Sequence, residues 1–444
     1  MEPRDRAAQA LTERFRLVAV CAALTALAFL QAPGRVVGDT KVDLVVDPGA
    51  WLSRAVSIWD PDGQLGQVQN QAYGYLFPMG PFFWVGDVLQ LDPWVVQRLW
   101  WALLWCVACC GVVRLCRELG IGTPGVRLLA GVLFALSPRF LSVIGPSSIE
   151  MWPTALAPWV LVPLVIGLSR GRAWRQAGLS ALAVGCVGGV NAVATSAVLP
   201  LAVLWLLLAP RGPRRRALLL WWPPLVLVAV LWWLVPLLLL GQYSPPFLDY
   251  IESSTVTSST ATVLDALRGT TNWVPRVSWQ GVAGREILTT PVIVGQVLVL
   301  VAIGAVGLVR RDLPHRRFLV TGLAAGLVLM TIGHTGTVSG WFAPELQIAL
   351  DGSLAPLRNA HKFDVVARLP MVPGLAHAVT LWLGADRERP FADVPPWTGR
   401  LAVGGAQLEL AVEHKMEQAM GITAEPLHTG HAGPLMKASK ACTV

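Results

Sequence analysis

The chain has 444 residues, of which 54% are hydrophobic and only 14% charged, and its mean hydropathy is +0.56; that composition excludes a soluble globular protein. The net charge of +8 comes from short arginine clusters set between apolar runs. No basic stripe interleaved with aromatics is present, which argues against nucleic acid as a partner and leaves the arginines as topology signals. The fold class that remains is all-α, a polytopic helical membrane protein, because a backbone in lipid must satisfy its own hydrogen bonds.

Arg4, Arg6, Arg14 and Arg16 accompany the first apolar run, Phe15–Ala32. By the positive-inside rule the N terminus is cytoplasmic, and this first helix, a retained signal anchor, runs outward. It leads to Gly38-Asp39-Thr40-Lys41-Val42-Asp43-Leu44-Val45-Val46-Asp47, a cluster of acids just outside the membrane. A long outer loop then extends to about Pro93. Within it Trp51, Leu52, Ala55, Val56 and Trp59 form an apolar stripe at helical spacing, the pattern of a helix lying flat in the interface. Asp60-Pro61-Asp62-Gly63 is a turn by its chemistry. The aromatic stretch Tyr73–Trp84, broken by Gly and Pro, reads as a short re-entrant or interfacial segment.

Further spans are expected near 94–116, 126–144 with an interruption at Ser137-Pro138, 151–168, 177–190, 192–209, 217–240, 291–309, 318–333 and 365–383, giving about ten in all. With this layout every basic cluster falls on the cytoplasmic side: Arg114 with Arg117 and Arg127, Arg170 with Arg172 and Arg175, Arg211 to Arg216, and Arg310 with Arg311, Arg316 and Arg317. The outer side receives a Ser/Thr-rich loop near 241–290, a short loop with Glu150, and Arg358-Asn359-Ala360-His361-Lys362-Phe363-Asp364. Residues 1–383 form the membrane core, and 384–444 read as a soluble or disordered tail. The cysteines provide no disulfide framework, and Cys106-x-x-Cys109-Cys110 has no His or acid beside it in its helix, so it reads as small-residue packing rather than a metal site.

The cytoplasmic loops are too short to build a site, and no P-loop, dinucleotide fingerprint or HExxH motif occurs. A donor would therefore arrive through the lipid. Sugar transfer from a polyprenyl phosphate needs a base for the acceptor hydroxyl and cations for the departing phosphate. Asp39, a few residues beyond the first helix, is the candidate base. Asp43 comes next, either raising the pKa of Asp39 or binding sugar hydroxyls, with Lys41 and Asp47 as further substrate contacts. Arg358, His361 and Lys362 are candidates for the phosphate, Glu150 is a lower-ranked substrate contact, and Trp273 and Trp279 are candidates for sugar stacking. No metal ligand set is evident, although a divalent cation remains an open requirement. The plainer alternatives are a solvated acidic loop paired with Lys41 and Arg35, and interfacial charges snorkelling at the start of the last span.

An acid shortly after the first membrane helix, a long first outer loop and a multi-helix bundle together resemble the GT-C membrane glycosyltransferases. More narrowly, Gly38–Leu44, the Trp59-Asp60-Pro61 turn, Tyr73–Phe82 and Arg358–Asp364 resemble the AftD family of mycobacterial alpha-(1→3)-arabinofuranosyltransferases, over about Arg14 to Val379. The resemblance implies a GT-C-like bundle with a large first extracytoplasmic loop in the plasma membrane. It also implies decaprenylphosphoryl arabinose as donor, the arabinan of arabinogalactan or lipoarabinomannan as acceptor, inversion at the anomeric carbon, and Asp39 as general base. An acyl carrier protein on the cytoplasmic face is a further implied partner. Family members continue for many hundreds of residues with carbohydrate-binding modules, and the pattern is lost from about Gly384, so a truncated chain is expected. The alternatives are another polyprenyl-phosphate sugar such as mannose, an inactive fragment, or a lipid-linked-sugar transporter; the scarcity of ionisable groups mid-span weighs against the last.

Overall fold

The computed structural model describes residues 3–39, 41–57, 59–60, 66–68, 72–190, 192–241, 243, 253–277, 282–336 and 338–384. Thr40, Trp279, the Pro61-Asp62-Gly63 part of the expected turn and the tail from residue 385 lie outside them.

Helix α1 (Pro3–Phe29) is followed by two short helices, α2 (Val42–Val46) and α3 (Pro48–Ala55). Asp47 caps α3, its Oδ1 accepting from Ala50 N at 2.9 Å, and Pro48 occupies the first turn, where its missing N–H costs nothing. Trp51 and Ala55 are buried, as the apolar stripe requires. The stripe is nevertheless shorter than its spacing suggests. The helix stops at Ala55, Val56 is 73% exposed, and Trp59 belongs to a two-residue strand, β1 (Trp59–Asp60), paired antiparallel with β2 (Gln67–Val68). The aromatic segment forms a 3-10 turn, Ala72–Leu76, and α4 (Met79–Val88), whose 10 residues are too few to cross a bilayer. Tyr75, Met79 and Phe83 are buried there.

The bundle proper comprises α5 (Pro93–Glu118), α6 (Pro124–Ala135), α7 (Pro138–Val143), α8 (Met151–Ser169), α9 (Ala173–Gly185), α10 (Ala192–Ser196), α11 (Leu199–Leu208) and α12 (Pro213–Gly241). Smaller elements follow: α13 (Ser254–Ser258), α14 (Val263–Arg268), α15 (Val274–Val277) and α16 (Val282–Thr289). The chain returns to the bundle as α17 (Pro291–Val309), α18 (Arg316–Thr331), α19 (Ala343–Asp351) and α20 (Asp364–Gly384). The break expected at Ser137-Pro138 separates α6 from α7.

Six stretches among the described residues are long and apolar enough to cross a membrane: Pro93–Glu118, Pro124–Val143, Ser148–Ser169, Pro213–Leu239, Pro291–Val309 and Ala360–Gly384. The other expected spans correspond to α1, α9, the α10–α11 pair and α18. Helices α9 and α18 have 13 and 16 residues, α10 and α11 are separate pieces, and Glu13, Arg14 and Arg16 fall within α1. Buried residues make up 78% of the Ser148–Ser169 window but only 17% of Pro291–Val309, so α8 is central and α17 is peripheral.

Polar contacts and small residues join the helices. Ser180 Oγ of α9 donates to Val160 O of α8 at 2.7 Å and accepts from Trp222 Nε1 of α12 at 2.9 Å. Trp159 Nε1 of α8 donates to Val107 O of α5 at 2.9 Å. Cys21 and Cys110 meet at 3.7 Å between α1 and α5. Glycines set the position of α20: Gly307 of α17 lies against the backbone of Gly374, and Gly326 of α18 against that of Ala367. Without a hydrophobic driving force between helices in lipid, such backbone approach is what favours association. A methyl group on Gly307 has nowhere to go, whereas one on Gly295 of the same helix has nothing within 4 Å. Gly307→Ala is therefore expected to destabilise the bundle by roughly 1–3 kcal/mol, and Gly295→Ala to be neutral or slightly stabilising. Unfolding midpoints of the two variants in detergent check this, and equal midpoints would contradict the crossing.

Candidate active site

Asp39 lies beyond the end of α1, in a stretch tied to α5. Gln97 Oε1 accepts from Val37 N at 3.0 Å, and Gln97 Nε2 donates to Val37 O at 2.8 Å. Arg98 donates to the carbonyls of Gln31 and Arg35, each at 3.0 Å, and to Gln97 Oε1 at 2.8 Å. Its guanidinium carbon lies 4.3 Å from the centre of the Trp101 ring. Gln97 and Arg98 are fully buried, so their hydrogen bonds are made away from competing water. The backbone leading to Asp39 thereby has a defined path.

The carboxylate of Asp39 is 6% exposed and turns toward the start of α8. It accepts from Ser148 N at 3.1 Å and from the Ser148 hydroxyl, which in turn accepts from Trp100 Nε1 at 3.0 Å. Ser148 opens a 3-10 turn, Ser148–Glu150, that runs straight into α8. Two residues from the serine, Glu150 makes ion pairs with Lys362 Nζ at 2.9 Å and Arg139 Nη2 at 3.2 Å. Arg139 belongs to α7, and Lys362 to a 3-10 turn, Ala360–Phe363, at the head of α20.

His361 and Arg358 are also buried beside this turn. Arg358 Nε donates to Ala355 O at 3.3 Å, and its carbonyl accepts from Thr257 Oγ1 at 3.0 Å. One turn into α20, Arg368 pairs with Asp364 at 2.8 Å and donates to the carbonyls of Leu267 and Ala266. These bonds tie the end of α14 to α20.

The electrostatic consequence is an excess of positive charge. Among the described residues Glu150 forms ion pairs with both Arg139 and Lys362, while the Asp364 carboxylate, also within electrostatic reach of Arg139, is engaged by Arg368. Arg139 Nη1 and His361 Nδ1 are buried without a hydrogen-bond partner among the described residues. A buried donor such as Arg139 Nη1 without a partner is costly, and an anion with several acceptor oxygens would relieve both it and the charge. A carboxylate beside such a cluster has the elements of acid-base chemistry next to an anion site.

The sequence-predicted residues thus divide. Asp39, Glu150 and Lys362 come together through the Ser148–Glu150 turn, with Arg358 and His361 buried nearby in chain. Asp43 and Asp47 are exposed, Asp47 serving as the α3 cap, and Lys41 is half-buried. Trp273 is partly buried, its Nε1 donating to Asn359 Oδ1 at 3.2 Å. No group of three or more His, Cys, Asp or Glu suited to a metal ion occurs among the described residues. The described ion-pair partners of Glu150 are the cations Arg139 and Lys362.

Residues 23–424 match the family described as alpha-(1→3)-arabinofuranosyltransferase, N-terminal GT-C domain (GT-C_AftD). The chain belongs to the AftD family. It is 45% identical over 361 residues to the alpha-(1→3)-arabinofuranosyltransferase of Mycolicibacterium smegmatis, covering 81% of this chain and 25% of that relative. The Mycobacterium tuberculosis protein of the same name is 43% identical over 370 residues, covering 82% of this chain and 26% of its own length. A cryo-EM structure of the arabinofuranosyltransferase AftD from mycobacteria superposes with a TM-score of 0.68 at 40% identity, covering 83% of this chain and 24% of that one. The chain spans about a quarter of the length of these AftD relatives.

Sequence reasoning missed Arg139, Ser148 and the Gln97–Arg98 pair. The available signal was polar residues within otherwise apolar runs, which in membrane proteins mark paired or functional positions. Ser148 carried no such signal, because a serine in a short loop is ordinary. Removing Glu150 leaves two buried cations facing each other, so Glu150→Ala is expected to cost roughly 3–5 kcal/mol. Adding Lys362→Met to Glu150→Ala should restore part of that loss. A double-mutant cycle on unfolding midpoints reads the coupling, and additive losses would show that the pair is not coupled.

Proposed function

We propose that this chain carries the donor site and catalytic base of an AftD-type alpha-(1→3)-arabinofuranosyltransferase. The reaction is transfer of arabinofuranose from decaprenylphosphoryl arabinose to the arabinan of arabinogalactan or lipoarabinomannan, with inversion at the anomeric carbon. The observation that carries this reading is the single turn, Ser148–Glu150, that holds the Asp39 carboxylate at one end and the Arg139–Lys362 cation pair at the other. The family relationship supports the sugar and the linkage, since the relatives that match are named for that activity.

In this mechanism the acceptor hydroxyl oxygen attacks the anomeric carbon as Asp39 takes its proton. The bond from that carbon to the phosphate oxygen breaks, and the electron pair leaves with the polyprenyl phosphate. Arg139, Lys362 and Arg358 offset the negative charge that develops on the leaving group, and His361 offers it a neutral ring N–H. Ser148 positions the base, because its N–H and hydroxyl both point at the carboxylate. Asp43, Lys41 and Asp47 are assigned to the approach of sugar hydroxyls. The Asp39 end of the bundle faces outward from the plasma membrane, and the arginine-rich end and N terminus face the cytoplasm, in keeping with the positive-inside rule. An acyl carrier protein on the cytoplasmic face belongs to this proposal through the family alone.

The test is transfer of radiolabelled arabinose from decaprenylphosphoryl arabinose to a short arabinan, using membranes that contain the 444-residue chain. Asp39→Asn, which keeps the shape of the side chain, is expected to lower the rate by ~10²–10⁴-fold with insertion unchanged. Wild-type turnover in that variant would remove Asp39 from the mechanism. No transfer by the properly inserted wild-type chain would refute a self-sufficient core or the assigned donor.

A further inference from the structure

A cavity of about 670 Å³ opens at the end of α8 opposite the Asp39 site. The 19 residues of α8 separate the two ends by about 28 Å, close to the ~30 Å thickness of a bilayer core. The cavity therefore lies near headgroup level on the other side of the membrane. Arg211, Arg214, Arg215, Arg316 and Arg317 line it, brought together from the α11–α12 connection, the start of α12 and the start of α18.

The balancing negative charge is small. Glu118 is the acidic residue in the wall, and it is already paired with Arg114 at 2.9 Å and with Arg170. Three of the arginines are held by neutral carbonyls: Arg214 by Gly171 O at 2.9 Å, Arg215 by Leu206 O at 2.7 Å, and Arg316 by Leu308 O at 3.1 Å. Those bonds fix the guanidinium groups without neutralising them. The side chains of Arg211 and Arg317 form no hydrogen bond or ion pair among the described residues, and both residues are exposed.

The rest of the wall is mostly apolar, with Ser169 and His315 as its other polar residues. Trp205 packs edge-on to Phe318 with ring centres 4.9 Å apart, and its buried indole N–H has no hydrogen-bond partner among the described residues. A plain positive-inside loop would explain the sign of the charge. It would not explain a concave site in which fixed arginines meet an aromatic wall.

We propose that this cavity binds the phosphate headgroup of an anionic phospholipid, with the acyl chains leaving along the apolar wall into the bilayer. Basic pockets between membrane helices suit such headgroups, and the volume falls within the range of small-molecule sites. A free phosphate ion would use the arginines alone, so the combination of charge and a largely apolar wall favours a lipid.

The experiment is native mass spectrometry and thermal unfolding of the full 444-residue chain in detergent, titrated with phosphatidylglycerol or cardiolipin and, separately, with phosphatidylcholine. Saturable binding and stabilisation by the anionic lipids only are expected. The double variant Arg211→Gln/Arg317→Gln is expected to lose about 30-fold in affinity, the effect of two basic residues near an anionic headgroup, with its lipid-free unfolding midpoint unchanged. Equal binding of phosphatidylcholine, or undiminished binding by the variant, would overturn the proposal. Displacement of the lipid by millimolar inorganic phosphate would assign the cavity to a free anion instead. Arginine-dependent binding of an acidic carrier protein to the lipid-free chain, with no lipid binding, would assign it to a protein partner.

Discussion

Glu150 buried against Arg139 and Lys362 is the contact on which the arrangement of the outer half of the bundle depends. Taking three charges out of water is expensive, and their attraction repays the cost only when the groups are held at close range. The participants come from the break between α6 and α7, the turn into α8 and the turn into α20. Forming the cluster requires all three helix starts to converge at the same depth. Because one carboxylate faces two cations, the cluster also has unspent positive charge, so one contact both organises the fold and creates affinity for an anion.

The supports around this cluster are of two kinds. Buried polar side chains act where the chain is irregular: Gln97 and Arg98 hold the stretch that ends at Asp39, and Ser148 joins that stretch to the start of α8. Close backbone packing acts where the chain is regular, with glycines of α17 and α18 meeting α20 from both sides and setting the height at which Lys362 is presented. Neither kind is interchangeable with the other. An irregular segment in a membrane protein has backbone groups that need partners, while regular helices in lipid gain most from close contact.

The two ends of α8 have different tasks set by one physical rule. At the Asp39 end, cations are buried, and one carboxylate, Glu150, is shared between two of them. At the other end, arginines are anchored to carbonyls and remain uncompensated. The first arrangement suits chemistry on an anionic substrate, the second suits retention of an anionic surface component. Both use guanidinium groups, whose planar set of donors can bind carbonyls and an anion at once.

Composition and apolar run length were enough to place most helices, because a membrane span must be long and uncharged whatever surrounds it; the break at Ser137-Pro138 and the short aromatic α4 were legible for the same local reasons. Asp39 stood out as an acid at the mouth of a helix. The stripe through Val56 and Trp59 was misread because helical spacing says nothing of where a helix stops, and α3 ends at Ala55 before a strand pair begins. Of the roughly ten expected spans, six have helices among the described residues that are long and apolar enough to cross a membrane, while α9, α11 and α18 are apolar but shorter. Family membership and the candidacy of Asp39, Glu150, His361 and Lys362 were thus determined by the sequence itself, through local pattern. That Arg139 and Ser148 complete the site, that Asp47 is a helix cap, and that five scattered arginines share one cavity were decided only in the tertiary structure, because partners distant in the chain are set by helix packing, which no local spacing encodes.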